Sequence, residues 1–170
     1  MHFYADDTQV YLSFDINTDS PELSNVTLCF EEIKAWITNN FMKLNSDKTK
    51  VMEIGYYESS LEHVLIDNIP IQPILHHKNL GFIIDHQLNM DEQIKLVCQI
   101  CNLNLRSLRR IAAHLSFELK IQLVHSNILS FVDYCNSVYC GLSDKNVHKL
   151  QKIQNNSVRF IFRLLGINKI

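Results

Sequence analysis

No stretch of this chain reaches the roughly 18 consecutive apolar residues that a membrane-spanning helix needs, and its first residues carry no basic-then-apolar signal segment. Both absences point to an intracellular chain, nuclear or cytoplasmic, with no membrane partner. Cysteine is sparse and irregular. Cys29, Cys98, Cys101, Cys135 and Cys140 are odd in number and unevenly spaced, which argues against a closed disulfide framework and fits reduced thiols. Aromatic residues are thinly interleaved with basic ones, so Phe160 and Phe162 read as core rather than as stacking platforms for bases. Ordinary apolar side chains are abundant, 46% of 170 residues, enough for one core or two small subdomains and too many for a disordered chain.

The net charge of −2 conceals a split. Up to Asn89 there are five Lys and Arg against thirteen Asp and Glu, and from Met90 onward eleven against five. An acidic half followed by a basic half suits two tasks, holding cations in one and touching phosphates in the other; scattered solvated charge is the plain alternative.

The acidic half opens on Phe3-Tyr4-Ala5-Asp6-Asp7, with Val10-Tyr11-Leu12 close behind. Two apolar segments around adjacent carboxylates have the shape of a β-hairpin whose tip offers hard oxygen ligands, although Asp is also a favoured residue of plain surface turns. Ser20-Pro21-Glu22 then reads as a helix start, and Leu23, Val26, Phe30, Ile33 and Ile37 give one apolar stripe that ends near Asn39-Asn40. Val51 to Ile54 alternates as a strand. Asp67-Asn68 is a two-residue turn between Val64-Leu65-Ile66 and Ile69-Pro70-Ile71, with Pro70 at a sheet edge. Leu80 to Ile84 is a further short buried strand, ended by Asp85.

Beyond it the period changes from two to 3.6. Asn89 with Glu92 resembles a capping box opening a helix that runs to Leu115. A second helix is expected after Ser116, and a third after Ser143 through Leu165. The fold class is therefore α+β, short antiparallel strands with a covering helix over residues 1–88 and an all-α bundle over 89–170.

Several strings share an order that resembles the reverse transcriptases of non-LTR, LINE-type retrotransposons, the jockey-like group in particular. They are Phe3-Tyr4-Ala5-Asp6-Asp7-Thr8, Ile33-Lys34-Ala35-Trp36, Asn40-Phe41-Met42-Lys43-Leu44-Asn45-Ser46-Asp47-Lys48-Thr49-Lys50 and Lys78-Asn79-Leu80-Gly81. Leu105 to Ile111, Phe131 to Asn136, Gly141-Leu142-Ser143 and Leu150 to Asn155 continue it through nearly the whole chain. The resemblance implies a partial polymerase palm over residues 1–88 and a helical thumb with the region after it over 89–170. It implies that Asp6 ligates Mg²⁺ with Asp7 in support, in a two-metal nucleotidyl transfer. Tyr4 and Ala5 then lie near the primer terminus, Lys48 neutralises or protonates the leaving pyrophosphate, and Leu80-Gly81 forms the primer-grip turn. The implied partners are an RNA template, a DNA primer and deoxynucleotides.

In that family the fingers, the other palm motifs and a further metal-binding aspartate precede the Tyr-Ala-Asp-Asp box. Here three residues do. The expectation is a truncated palm plus thumb that lacks its upstream partner segment and is inactive alone. Asp15, Asp19 and Asp85 are the acidic residues available in place of the absent aspartate, and none sits in a suitable setting.

Arg106, Arg109 and Arg110 cluster in one expected helix, and Lys145, Lys149, Lys152, Arg159 and Arg163 recur along another. Such a stripe tracks a nucleic-acid backbone through phosphates, or is simply a solvated cationic face. Cys98-Gln99-Ile100-Cys101 has a zinc-like spacing but lies within a helical period with no second pair, so it reads as core thiols. Three functions follow: a reverse transcriptase fragment, a catalytically dead nucleic-acid-binding module, or a relic of an element with no selected role.

Overall fold

The computed structural model describes residues 2–4, 7–13, 22–45, 48–55, 65–66, 69–70 and 72–162. The fold is mixed α+β and mostly helical. Two compact units divide the chain, Met1–Leu75 and His76–Ile170.

In the first unit, β1 (His2–Tyr4) and β2 (Asp7–Gln9) form an antiparallel hairpin in the register His2↔Gln9, Phe3↔Thr8 and Tyr4↔Asp7. Val10, Tyr11 and Leu12 continue beyond β2 without a ladder and are exposed, Tyr11 tilting against His2 at 5.4 Å between ring centroids. The helix α1 spans Glu22–Asn39 as its apolar stripe requires. It closes in a Schellman-type turn: Phe41 adopts φ 59° and the Met42 N–H reaches back to the Ile37 carbonyl at 3.0 Å. Asn40 adds a side-chain bond to the Trp36 carbonyl at 2.8 Å. β3 (Leu65–Ile66) and β4 (Ile69–Pro70) pair antiparallel, Leu65 opposite Pro70, while the Asp67-Asn68 turn lies outside the described residues. Val51 to Ile54 is not a strand. The Ile74 N–H donates to the Val51 carbonyl at 2.9 Å, and among the described residues no ladder forms here, so the alternating polarity gives an extended segment.

No described side chain of Met1–Leu75 is buried. Trp36 is 61% exposed and Phe41 fully so, with Leu28 and Met42 also in solvent.

The second unit begins twelve residues or so before the change of period, because a hairpin is packed onto its helices. β5 (His76–Asn79) pairs with β6 (Phe82–Asp85) across a two-residue turn, Leu80 at φ 46° and Gly81 at φ 89°. Two successive left-handed residues make the turn that matches strand twist. β5 escapes sequence reading because His76, His77 and Lys78 are polar and exposed, with no alternation to betray a strand. β6 carries the apolar side chain that matters, Phe82, which packs with Met90 and Ile94.

The main helix α2 (Asp91–Ile111) starts after Met90 with no side-chain cap, so the Asn89–Glu92 box does not form, and Asp85 ties the turn that leads into it. The Asp85 carboxylate accepts the backbone N–H groups of Gln87 at 3.1 Å, Asn89 at 3.0 Å and Met90 at 2.7 Å. Asn89 contributes only a local bond to the Asp91 N–H at 2.9 Å, while Glu92 turns out to Lys95. A 3₁₀ turn, Ala112–His114, ends α2 earlier than its apolar period suggests. Ser116 caps α3 (Phe117–Val124) as expected, its hydroxyl accepting the Leu119 N–H at 3.2 Å.

After α3 the chain widens into a π-helical turn, His125–Leu129, before α4 (Ser130–Asp133). Two carbonyls of that turn are met by α2 side chains: Asn104 donates to the Asn127 carbonyl at 2.7 Å and the Cys101 thiol to that of Ile128 at 3.6 Å. A 3₁₀ turn, Asn136–Tyr139, leads to α5 (Asp144–Ile161). Val97, Cys101, Leu105 and Leu108 from α2 meet Val124, Ile128 and Val132 and, from α5, Ile153 and Phe160. This is the core that the 3.6 period calls for. Phe162 departs from the core reading: it is 57% exposed and tilts against Phe117 at 5.6 Å. The part of the third helix expected beyond it lies outside the described residues.

Candidate functional site

The acidic hairpin is set by its ladder. With Tyr4 opposite Asp7, a two-residue connection joins them, and those residues, Ala5 and Asp6, lie outside the described ones. Tyr4 and Asp7 are both exposed. Lys48 follows a turn built by Asn45, whose carbonyl accepts the Lys48 N–H at 3.1 Å and the Thr49 hydroxyl at 3.1 Å. That leaves the Lys48 side chain in solvent.

Of the carboxylates assigned to Mg²⁺, Asp7 alone is described. No group of three His, Cys, Asp or Glu among the described residues could hold a metal ion. Mg²⁺ binds through one or two carboxylates completed by water and substrate phosphate in near-octahedral order; of the two hairpin carboxylates, Asp7 is exposed and Asp6 lies outside the described residues. Asp85 is no substitute, because its oxygens are taken up by three backbone N–H groups.

The Leu80-Gly81 turn is held in the second unit. The Tyr134 hydroxyl donates to the Leu80 carbonyl, and a side chain added at Gly81 would meet that ring at 3.7 Å. Leu80 itself is 45% exposed.

The basic residues separate into two groups. Arg106, Arg109 and Arg110 are exposed near the end of α2, with Arg110 donating to the Ser107 hydroxyl at 3.4 Å. On α5, successive residues turn by about 100°, so Lys145, Lys149, Lys152 and Arg159 fall within an arc of about 80°. Lys145 and Lys152 are exposed, Lys149 and Arg159 half-buried, and Arg163 lies outside the described residues.

Lys149 is fixed by a polar chain that sequence reading missed. Asn146 is fully buried; its amide donates to Asp91 at 2.7 Å and to the Asn89 carbonyl at 3.4 Å, while its Oδ1 accepts from the Lys149 ammonium at 2.9 Å. The first turns of α2 and α5 are thereby joined. Between them runs an open groove of about 430 Å³ lined by Asp91, Glu92, Lys95, Cys98, Gln99, Asn102, Lys145 and Lys149. A second buried amide, Gln93, accepts the Ile83 N–H at 2.9 Å and donates to the Tyr139 hydroxyl at 3.4 Å. Burial raises the Tyr139 phenol pKa despite that bond, which acts the other way. No spacing rule flags Asn146 or Gln93; only the packed structure shows that each joins two elements.

Cys101 is a core thiol whose pKa is pushed up to about 11, first by burial and then by neighbouring Cys98. Burial raises Cys98 too, with Lys149 opposing it. Neither is poised as a nucleophile or ligand at neutral pH.

Comparison with models of known families, with curated proteins and with solved structures finds no match to this chain. No helix among the described residues is long and apolar enough to cross a membrane.

Proposed function

We propose that this chain is the part of a non-LTR retrotransposon reverse transcriptase that runs from the Tyr-Ala-Asp-Asp box through the palm remainder and the thumb. The observation that carries the reading is the order of strings from Phe3 to Asn155, placed on a hairpin that pairs Tyr4 with Asp7 across the Ala5-Asp6 tip. In this reading Asp6 and Asp7 hold Mg²⁺ within a fuller polymerase, and Lys48 stabilises the pyrophosphate leaving group. The helical unit follows template and primer through Arg106, Arg109, Arg110 and the α5 stripe, including Arg159 and Arg163. The exposed apolar surface of the first unit supports a palm that other polymerase segments complete. By itself the chain binds nucleic acid and extends no primer.

The experiment is the salt dependence of binding to an RNA–DNA template–primer. Each phosphate contact contributes a log–log slope of about −0.9 on duplex. Reversing Lys145, Lys149 and Lys152 to Glu should flatten the slope by roughly two to three units. Absence of binding at low salt, or a triple variant indistinguishable from the parent, removes the thumb assignment.

A further inference from the structure

We propose that the groove between the first turns of α2 and α5 is a seat for one phosphate group, gripped by Lys145 and by a Lys149 that buried Asn146 holds in place. The strand as the source of that phosphate rests on the reading above; the seat itself rests on the groove.

Five formal charges line it: Lys95, Lys145 and Lys149 against Asp91 and Glu92. The carboxylates have partners already. Glu92 is paired with Lys95 at 3.1 Å, and Asp91 accepts from the Asn146 amide at 2.7 Å. Among the described residues neither Lys145 nor Lys149 forms a salt bridge, so two cations face the groove without a counterion from the fold.

Lys149 is the unusual one. An exposed lysine loses side-chain entropy on gripping a ligand, but one proton of this ammonium is already spent on the buried Asn146 Oδ1 at 2.9 Å. Its remaining protons are free to meet an acceptor in the groove. Both helices also begin here, and each N-terminus adds a partial positive charge in its first turn. On the α2 wall, Gln99 and Asn102 stand three residues apart. The Asn102 amide donates to the Cys98 carbonyl at 2.8 Å. The volume of about 430 Å³ takes a phosphate with an attached sugar and is too open to enclose a ligand wholly, which suits one phosphate of a strand passing across the surface.

Cys98 lines the same groove and reports its occupancy. The full chain is alkylated with neutral iodoacetamide, and each cysteine is followed by mass spectrometry, with exposed Cys140 as internal control. Inorganic phosphate, or a 5′-phosphorylated oligonucleotide, is compared with chloride at equal ionic strength. Ligand at four times its dissociation constant should slow Cys98 alkylation about fivefold and leave Cys140 unchanged. The exposed Lys145→Gln and the Lys149→Gln variants should each abolish that protection, with unfolding midpoints confirming that they fold. Protection by phosphate without oligonucleotide binding keeps the seat and removes the strand as its source. Oligonucleotide binding without protection of Cys98 by either ligand overturns the seat and leaves the nucleic-acid reading standing. Protection that survives both lysine variants also overturns it.

Discussion

Replacing Asp85 by Ala should destabilise the helical unit more than any surface change, because one carboxylate closes the junction between β6 and α2. It accepts three backbone N–H groups, and its bond to Met90 at 2.7 Å is buried. Each hydrogen bond lost costs about 0.5 to 1.5 kcal/mol, and more where the acceptor is charged. A buried N–H left without a partner costs a further 1 to 3 kcal/mol or so. Water can reach Gln87 and Asn89, which are exposed, but Met90 is not. The expected loss is thus about 3 kcal/mol, against a total of about 5 to 15 kcal/mol for a typical domain. Asp85→Asn keeps one acceptor oxygen and should cost about half as much. Urea unfolding followed by helical circular dichroism at 222 nm gives both values. A loss under about 1 kcal/mol for Asp85→Ala would show that this carboxylate does not hold the turn before α2.

Tyr134→Phe removes the donor to the Leu80 carbonyl and should cost about 1 kcal/mol in the same assay. Gly81→Ala has room for its methyl but holds φ 89°, so the expected loss of about 1 to 2 kcal/mol is conformational; no loss would mean the turn relaxes. Because burial raises the Cys101 thiol from 9.0 to about 11, its neutral form is favoured by folding. The corresponding stability is present in full below pH 9 and is lost as pH rises towards 11, a decline on the order of 2 kcal/mol that Cys101→Ala should remove. Hydrogen exchange should separate the two units: Leu105 to Ile111 protected, Val10 to Leu12 open, as expected where no described side chain of the first unit is buried. Uniform slow exchange in a monomer would refute that difference.

The elements legible in the sequence were those whose stability comes from a periodic apolar face. The helix α1 over Glu22–Asn39, the Ser116 cap and the alternation of core residues along α2 and α5 all follow from spacing. Elements that depend on a partner were not legible. β5 is polar and is a strand only because β6 lies beside it, while Val51 to Ile54 has the pattern and forms no ladder among the described residues. Asp85 could be read as the end of a strand, but its hold on the turn before α2 required knowing that the next five residues fold back over it. The same holds at the candidate site. Basic residues at helical spacing are visible as a stripe, whereas the fixing of Lys149 depends on Asn146, whose amide meets Asp91, 55 residues earlier, at the junction of two helices. The β5–β6 hairpin belongs to the second unit, where Phe82 packs with Met90 and Ile94.

The central claim, that this chain carries the Tyr-Ala-Asp-Asp palm segment and thumb of a reverse transcriptase, is tested most directly by transplantation. Residues 1–170 replace the corresponding segment of an active non-LTR reverse transcriptase, and primer extension is measured with Mg²⁺ on an RNA template. The account predicts extension by the chimera, its loss in Asp6→Asn with template–primer binding unchanged, and a marked slowing in Lys48→Ala. A chimera that folds and binds template–primer as the recipient enzyme does, yet extends no primer, would contradict it.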